Sequence, residues 1–485
     1  MLSQFQGYLF LGVFWLTALA AIKLSFKKNT TAETFLVSEK TVGFLIGAVS
    51  VAAAWVWAGA LFLSSQKAYE QGLPGLFWFT LPNAGALILF SFLAVRMRKI
   101  FDRGYTLPEF MGRRFDQRMK LLYSFSIFAA QNYAIVFNLT AALLMLNLVT
   151  GIPKSTLIVI LGLMMVSLSV LKGIRSSLTE DTIKAVLICM VAFIIVPWTI
   201  FESGGLDSIT SGLGGIKGTF THIFDPAVAW SFGVPVSITL FSGVVMDQQQ
   251  WQRAFSMKHK IVRRSFLWGG FLFAFVPIML GMLGYVAVNH ASILNIPKDQ
   301  NQLAGFYAAV YFLPGIAVLG FTAMVLASLV AAGSSALTAV SSIGAVDIYK
   351  FFRPDPSDRA LVMASRISMV IMILIGMSIS LIPNIQLLYL ILIMAPFRGA
   401  LLMPTILSLF WSKLSPLFTF WGIILGMVIG VPLFVYGSIV KNPTISSVGS
   451  LVPIAITLIA CLVGGWLRPK IFNYATLSDK TTSAS

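Results

Sequence analysis

The chain alternates between long apolar stretches and short polar connections, a pattern that predicts helices crossing a membrane. A membrane helix needs about 20 consecutive apolar residues, because a helix of that length satisfies its own backbone across the hydrocarbon layer. This criterion predicts thirteen spans. They are residues 6–26, 42–65, 73–97, 121–149, 155–171, 181–201, 228–246, 265–288, 313–346, 360–383, 386–411, 415–437 and 447–467.

The expected fold class is therefore an all-α polytopic membrane protein with about thirteen transmembrane helices. We expect a single transmembrane domain over residues 1–470 and a short cytoplasmic tail over 471–485. A tail of this length is too short for a soluble domain, which needs on the order of 100 residues.

Composition supports a membrane protein and argues against several other classes. Of the 485 residues, 58% are hydrophobic and 11% are charged, whereas soluble domains are about 25% charged. The net charge of +17 would suit nucleic acid, but the basic residues lie in loops between spans, so no nucleic-acid partner is expected. Cys189 and Cys461 lie in separate spans, which excludes a disulfide framework.

The distribution of basic residues predicts the orientation. About 28 of the 34 lysines and arginines lie in the loops after odd-numbered spans or in the C-terminal region, and about five follow even-numbered spans. Loops rich in lysine and arginine lie in the cytoplasm. We therefore expect a multi-pass protein of the cell (cytoplasmic) membrane, with the N-terminus outside and the C-terminus in the cytoplasm.

The ninth span contains a segment of small residues. About 12 of the 16 residues in 327–342 are Ala, Gly, Ser or Thr. Small residues let helix backbones approach closely, and hydroxyls can bond across helices or face a polar cavity. The segment is therefore either a buried packing helix or a helix lining a solute or ion site near the membrane midplane.

Two spans carry residues that interrupt helices. Span two holds Gly47 and Gly59, and span seven holds Gly233, Pro235 and Gly243. Helices may break at membrane depth only where protein or a water-filled cavity satisfies the freed backbone groups. Interrupted spans in corresponding positions of two halves point to an inverted-repeat transporter with its site between them.

Polar and aromatic residues inside these spans are candidates for solute binding. Trp55 and Trp57 lie midway along span two, Gln131 lies in span four, and Phe241 and Ser242 lie in span seven. A tryptophan among small neighbours can wall a cavity and offer its indole N–H, or it can be a buried packing residue. Gln131 either bridges helices or faces the solute.

Arg398 is a basic residue deep inside span eleven, in the sequence MAPFRGALLMP. A charge at this depth costs roughly 3 kcal/mol by insertion scales unless it is paired or hydrated. We interpret it as a group that holds a carboxylate or another anionic group, or that pairs with an acid. The alternatives are a side chain that reaches to the membrane surface and a misplaced span boundary.

Several motifs resemble the sodium:solute symporter family. They are YTLPEFMGRRF (105–115), KGIRSSLTEDTIKAVL (172–187), AWVWAGALFLSSQKAYEQGLPGLFWF (54–79), MDQQQWQRAF (246–255) and AGSSALTAVSSIGAVDIYK (332–350). The last three are most similar to the urea-transporter branch of the family. The resemblance covers roughly residues 5–470.

The resemblance implies uptake of a small organic solute coupled to sodium entry, by alternating access in an inverted repeat of five plus five helices (a LeuT-like core). The repeats would cover about residues 42–201 and 228–411. It also implies a sodium ion held by the carbonyls of Ala53 and Val56 and by two hydroxyl residues of span nine. Those hydroxyl positions correspond here to Ala331 and Ala332.

Alanine supplies no side-chain oxygen, and sodium needs oxygen ligands. Three interpretations remain. Ser334 and Ser335, one turn further on, provide the hydroxyls; the coupling ion is a proton; or the protein is an uncoupled transporter or a sensor.

The sequence thus predicts a symporter that imports a small polar solute such as urea, an amine or an amino acid, driven by a sodium or proton gradient. The expected solute-binding residues are Trp55, Trp57, Gln131, Phe241, Ser242 and Arg398, and the expected ion-binding residues are Ala53, Val56, Ser334 and Ser335. Spans two, four, seven, nine and eleven would line the site. No enzymatic activity and no prosthetic group are expected, and the alternative is a transporter-like solute sensor without an output domain.

Overall fold

The computed structural model describes residues 2–25, 42–102, 104–170, 174–220, 222–353, 355–382 and 386–477. Within these ranges every regular element is a helix, and Val42 and Met257 form an isolated β-bridge. The all-helical fold class is confirmed. Residues 172 and 173 of one family motif and 478–485 of the predicted tail lie outside the described residues.

The first half of the chain places two helices in series where the sequence predicts spans two and six. The helices are α1 (Gln4–Ser25), α2 (Phe44–Trp55), α3 (Ala58–Ile100), α4 (Leu107–Arg114), α5 (Gln117–Thr150), α6 (Lys154–Val170), α7 (Ile174–Met190) and α8 (Val196–Glu202), with a π-helical turn, Val191–Ile195, between α7 and α8.

The second half of the chain also contains short helices between the long ones. The helices are α9 (Leu206–Thr210), α10 (Pro226–Val228), α11 (Val234–Val245), α12 (Gln248–Ser256), α13 (Val262–Asn289), α14 (Ala291–Leu294), α15 (Ala304–Phe312), α16 (Gly315–Ser342), α17 (Lys350–Phe352), α18 (Asp358–Ser380), α19 (Leu387–Leu392), α20 (Met394–Phe410), α21 (Pro416–Ile439) and α22 (Pro443–Leu467). Segments Ala229–Gly233 and Ile343–Tyr349 are π-helical, and His259–Ile261, Lys298–Leu303 and Tyr474–Leu477 are 3₁₀ helices.

Among the described residues, ten helical segments are long and apolar enough to cross a membrane. Three shorter apolar helices, Gln4–Ala20, Phe44–Trp55 and Lys154–Ser169, accompany them. Every predicted span overlaps at least one of these segments, while the count of thirteen stays a prediction.

A turn at Gly72 divides α3 into two helices, which correspond to the second part of predicted span two and to span three. Gly72 has φ +60° and ψ −143°. A Cβ built there would lie 2.2 Å from the carbonyl oxygen of Leu213. The neighbouring Leu73 N–H donates to that same oxygen at 2.8 Å. Only glycine fits this backbone conformation and this close approach.

Span two is discontinuous, as the sequence predicts. The chain leaves the helix at Val56 and Trp57, both extended, and re-enters it at Ala58. The break falls between Gly47 and Gly59. A Cβ on Gly59 would lie 2.4 Å from the ring of Phe137, so this glycine admits α5 close to the break.

The interruption predicted at Gly233, Pro235 and Gly243 of span seven is wrong in its position. The helix continues through the π-helical turn Ala229–Gly233 and through α11, because such a turn accommodates the missing proline N–H. The break comes at Met246 and Asp247, and the carboxylate of Asp247 accepts from the Gln249 N–H at 2.9 Å to start α12. The predicted cytoplasmic loop is therefore a buried helix.

Candidate functional site

A small cavity lies beside the break in span two. Its volume is about 30 Å³, enough for about two water molecules. It is lined by Trp55, Trp57, Ala60, Phe79, Asn83, Tyr133, Phe137, Thr239, Leu240, Ile391 and Arg398. These residues come from the α2–α3 break, α3, α5, α11, α19 and α20. Both predicted repeats thus contribute to one cavity.

Aromatic rings form one wall of this cavity. The Trp57 ring centroid lies 6.1 Å from that of Trp55, 5.8 Å from that of Tyr133 and 5.9 Å from that of Phe137. The Trp55 indole N–H donates to Asn83 Oδ1 at 3.0 Å, and the Trp57 indole N–H donates to the Ala54 carbonyl at 3.1 Å. Both indole N–H groups are therefore bonded within the protein, and the part of the two tryptophans in solute binding stays a prediction.

Arg398 is buried beside this wall, with 5% of its surface exposed. Its guanidinium lies 4.9 Å from the ring centroid of Tyr133, and Nη2 donates to the Ala130 carbonyl at 3.2 Å. The side chain does not reach to a membrane surface. A Cβ on Gly243 would be 3.1 Å from Arg398 Nη1, so this glycine makes room for the guanidinium.

Two polar groups at the cavity keep hydrogen-bonding capacity. Arg398 Nε and the Tyr133 hydroxyl have no hydrogen-bond partner among the described residues. Buried polar groups normally have partners, because an unpaired one costs roughly 1–3 kcal/mol. Both groups can donate to an oxygen acceptor of a bound solute.

The structure does not bring Gln131, Phe241 and Ser242 to this cavity. Gln131 Nε2 donates to Asp247 Oδ1 at 2.9 Å, and the Ser242 hydroxyl bonds back to the Ile238 carbonyl. Phe241 is half-buried and packs against the apolar core. These bonds and contacts direct the three side chains away from the cavity. Their part in solute binding stays a prediction.

The small-residue segment of span nine does not line the cavity either. Span three, which was not among the expected lining spans, contributes Phe79 and Asn83 to the cavity. The hydroxyls of α16 are directed to helix carbonyls: Ser334 donates to the Ala331 carbonyl at 3.2 Å, and Thr338 donates to that of Ser334 at 2.8 Å. The segment packs against α5, α7 and α18.

The carbonyls predicted to hold the ion face a lysine. Lys184 of α7 is buried, and its Nζ donates to the Ala53 carbonyl at 2.8 Å and to the Val56 carbonyl at 2.7 Å. On the other side of the break, the Ala58 N–H donates to Asn138 Oδ1 at 2.6 Å. Side chains of neighbouring helices thus satisfy backbone groups that the break exposes.

A buried ion pair lies one turn from Lys184. Asp181 is fully buried and accepts from Arg253 Nη2, and its Oδ2 also accepts from the Ser50 hydroxyl at 2.7 Å. Arg253 Nη2 donates in addition to the Ser335 hydroxyl at 3.1 Å. Ser335 therefore belongs to the polar cluster around Arg253.

The residues at the break do not fit a sodium ion. Both predicted carbonyl ligands are bonded to Lys184, and Ala331 and Ala332 carry no side-chain oxygen. A sodium ion needs several oxygen ligands to replace its water shell. Ser334 and Ser335 bond to the Ala331 carbonyl and to Arg253, and their proposed role as substitute ligands stays a prediction.

Sequence reasoning missed Lys184, Asp181 and Arg253. Charged residues at or near the ends of spans are typical of cytoplasmic loops and helix caps, so their positions alone do not indicate burial. A signal was present, because Asp181 and Lys184 are three residues apart at the start of a predicted span and so share one helix face.

Polar contacts close the predicted cytoplasmic side. The Thr106 hydroxyl donates to Asp347 Oδ1 at 3.1 Å, and Lys120 Nζ lies 3.7 Å from the same carboxylate. Gln248 Nε2 donates to the Tyr105 carbonyl at 2.9 Å. These bonds join α4, α5, α12 and the segment after α16.

A larger cavity of about 300 Å³ lies at the predicted outer end of α5. It is lined by Thr140, Leu143, Leu144, Asn147, Leu148, Lys154, Asp299, Gln300, Gln302, Leu303, Ser380, Leu381, Ile382 and Gln386.

Comparison with known proteins agrees with this architecture. A family model described as the sodium:solute symporter family matches residues 35–426. The urea-proton symporter DUR3 of Oryza sativa subsp. japonica is 22% identical, over 93% of this chain and 69% of the relative. The urea active transporter of Saccharomyces cerevisiae is 23% identical, over 75% of this chain and 52% of the relative. The alignment thus spans only about half to two thirds of these relatives.

Solved structures show the same fold. A Na⁺-coupled sialic acid symporter in a substrate-bound outward-open state matches with a TM-score of 0.76 and 17% identity, over 96% of this chain and 99% of that one. The nucleobase-cation-symport-1 family transporter Mhp1 matches with a TM-score of 0.59 and 13% identity, over 92% and 98%. At these identities the likeness shows the fold alone.

Proposed function

The chain belongs to the sodium:solute symporter family, and we propose that it imports a small polar organic solute such as urea, an amine or an amino acid. A cation gradient drives the uptake, and the cavity beside the α2–α3 break is the solute site in the state seen here. Within the family this is a cation-coupled symporter and not an enzyme, because its relatives are transporters.

One observation carries the proposal: a buried arginine and a wall of aromatic rings meet at a cavity beside the break of span two, and both halves of the chain line this cavity. Ionisable groups within the membrane are costly and mark solute or ion pathways. Transporters of this architecture place their sites at discontinuous helices near the midplane. The position of Arg398 between Tyr133 and the break of span two fits both rules.

The donors on the residues that line the cavity favour a solute with an oxygen acceptor. Arg398 Nε and the Tyr133 hydroxyl offer donors to a carbonyl or carboxylate oxygen. Urea has such a carbonyl, and relatives named as urea transporters favour it. An amino acid has a carboxylate that an arginine binds well.

A proton is the favoured coupling ion. The residues at the expected sodium site do not supply its hydroxyl ligands, and one relative is named a urea-proton symporter. Residues 1–470 form a single transmembrane domain in this proposal, with the N-terminus outside and the C-terminus in the cytoplasm of a cell-membrane transporter.

Uptake of radiolabelled urea into proteoliposomes tests the solute class. Purified protein should take up urea faster than protein-free liposomes, and unlabelled solutes should compete in the order of their own affinity. Competition by methylamine or by glycine would identify an amine or an amino acid as the better solute. Binding of these solutes without uptake or counterflow would contradict transport and identify a sensor.

A further inference from the structure

We propose that Lys184 is a tethered cation that fills the ion position at the α2–α3 break, so that no sodium ion binds there. The proposal rests on the proposed function only in assigning this break to the transport site. It concerns which cation the backbone carbonyls of Ala53 and Val56 hold.

The first support is geometric. Lys184 Nζ lies 2.8 Å and 2.7 Å from the carbonyl oxygens of Ala53 and Val56. These distances are typical of charge-assisted hydrogen bonds from an ammonium. One nitrogen therefore bridges the two carbonyls that end α2, in the position of a cation shared between them.

The second support is electrostatic. The carbonyl end of a helix carries partial negative charge, so a cation at the end of α2 is stabilising. The nearby Asp181 is already paired with Arg253. The Asp181–Arg253 pair is neutral as a unit, and the nitrogen that contacts both carbonyls is that of Lys184. A tethered ammonium thus supplies the one positive charge that a bound sodium ion would bring.

The third support is the chemistry of the facing helix. Ala331 and Ala332 are both buried in α16 and offer methyl groups. A sodium ion takes about five or more oxygen ligands, whereas an ammonium group donates at most three hydrogen bonds. An ammonium that already bonds two carbonyls needs few further oxygens, so the loss of two hydroxyls is compatible with Lys184 and not with sodium.

The bond also joins two parts of the molecule. Lys184 belongs to α7, whereas the carbonyls belong to the end of α2. A free ion can leave the site during transport, but a tethered one leaves only when α7 and α2 move apart. We therefore infer that stability of the break does not depend on the sodium concentration.

Thermal unfolding of the purified full-length protein in detergent tests this inference. Sodium chloride, methylammonium chloride and choline chloride are compared at equal ionic strength. For wild type, the three salts should give the same melting temperature. For Lys184→Ala, methylammonium should raise the melting temperature by roughly 2–4 °C over choline, because it replaces the missing ammonium. Sodium should not raise it, because Ala331 and Ala332 supply no hydroxyl ligands. Lys154→Ala, which removes an exposed lysine, should behave as wild type.

Serine substitutions at Ala331 and Ala332 provide a second test. Ala331→Ser/Ala332→Ser keeps Lys184, and the triple variant Lys184→Ala/Ala331→Ser/Ala332→Ser removes it. The triple variant should bind radioactive sodium saturably, and the double variant should not. Equal sodium binding by the two variants, or a melting temperature of Lys184→Ala that methylammonium does not raise, overturns the proposal.

If the Lys184→Ala variants do not fold, sodium binding to the wild-type protein tests the proposal. No saturable binding of radioactive sodium is expected, and saturable binding overturns the proposal. None of these measurements involves uptake, so failure of solute transport and failure of the tethered cation are separate results.

Discussion

Arg398 is the residue on which solute binding depends in this account. Its guanidinium donates to the Ala130 carbonyl and lies over the Tyr133 ring, and these two contacts fix its position. A charge kept at this depth is costly, and a solute oxygen that accepts from it recovers part of the lost hydration.

Arg398→Lys should weaken solute binding by about 10- to 100-fold, because lysine keeps the charge but loses the planar fork of donors. The measurement is the solute concentration at half-maximal uptake in proteoliposomes. Arg264→Lys is the matched control, since Arg264 is exposed and its guanidinium lies over the Phe44 ring, away from the cavity. An unchanged half-maximal concentration for Arg398→Lys would exclude Arg398 from solute binding.

Trp55 should matter for stability as well as for the cavity wall. Trp55→Phe removes the indole N–H that donates to Asn83 Oδ1, leaving a buried acceptor unpaired at a cost of about 1–3 kcal/mol. A lower melting temperature in detergent is the expected result. Trp421→Phe, at an exposed position of α21, is the control that should melt as wild type. If both variants melt alike, the Asn83 bond does not stabilise the fold.

At the scale of single residues, the sequence identifies groups whose burial is unusual but does not identify their partners. Trp55, Trp57 and Arg398 can be selected from the sequence because each is polar or bulky within an apolar span. The structure places all three at one cavity. Lys184 escaped prediction because a lysine near a span end also fits the positive-inside rule. Only the folded arrangement shows that its ammonium reaches the carbonyls of another helix.

At the scale of elements, the break within span two and the break at the end of span seven position polar side chains. The break of span two is stabilised by Asn138 on one side and Lys184 on the other. The break of span seven is stabilised by the Asp247 cap of α12. Each break thus depends on a polar side chain in or beside the membrane region.

Gly72→Ala should destabilise the turn between the two halves of α3. Its positive φ costs a side-chain-bearing residue about 1–3 kcal/mol, and the new Cβ would also collide with the Leu213 carbonyl. The expected result is a clearly lower melting temperature. Gly315→Ala is the matched control, because a Cβ at Gly315 meets nothing within 4 Å. A Gly72→Ala variant as stable as Gly315→Ala would contradict the turn described here.

The apolar pattern predicts the existence of the long helices, and their breaks only in part. Span two was expected to be interrupted and is. In span seven, glycine and proline predict the wrong position for the break. A π-helical turn accommodates Pro235, and the break lies at the aspartate that caps α12. The buried α12 was missed because its glutamines and arginine are typical of a loop, and only tertiary hydrogen bonds make their burial favourable.

At the scale of the whole molecule, polar contacts join helices at the predicted cytoplasmic end, and a cavity of about 300 Å³ lies at the predicted outer end. This assignment of sides depends on the distribution of basic loops. The family and the fold agree with a multi-pass transporter, and the orientation of the termini stays a prediction.

Cysteine labelling in intact cells checks the orientation. In a background carrying Cys189→Ala and Cys461→Ala, Lys217→Cys should react with a membrane-impermeant maleimide, because the loop before α10 is predicted to lie outside. Lys260→Cys, equally exposed but before α13, should react only after the cells are permeabilised. The reverse pattern would invert the predicted orientation and the assignment of the two ends.

Gradient-driven accumulation of labelled urea in proteoliposomes tests the central claim most directly. In sodium-free buffer, an imposed inward proton gradient should raise internal urea above the external concentration, and replacing choline by sodium should add nothing. Competing amines or amino acids replace urea as the label if they prove to be the better solute. If no cation gradient drives any of these solutes above equilibrium, the protein is not a symporter and the account is wrong.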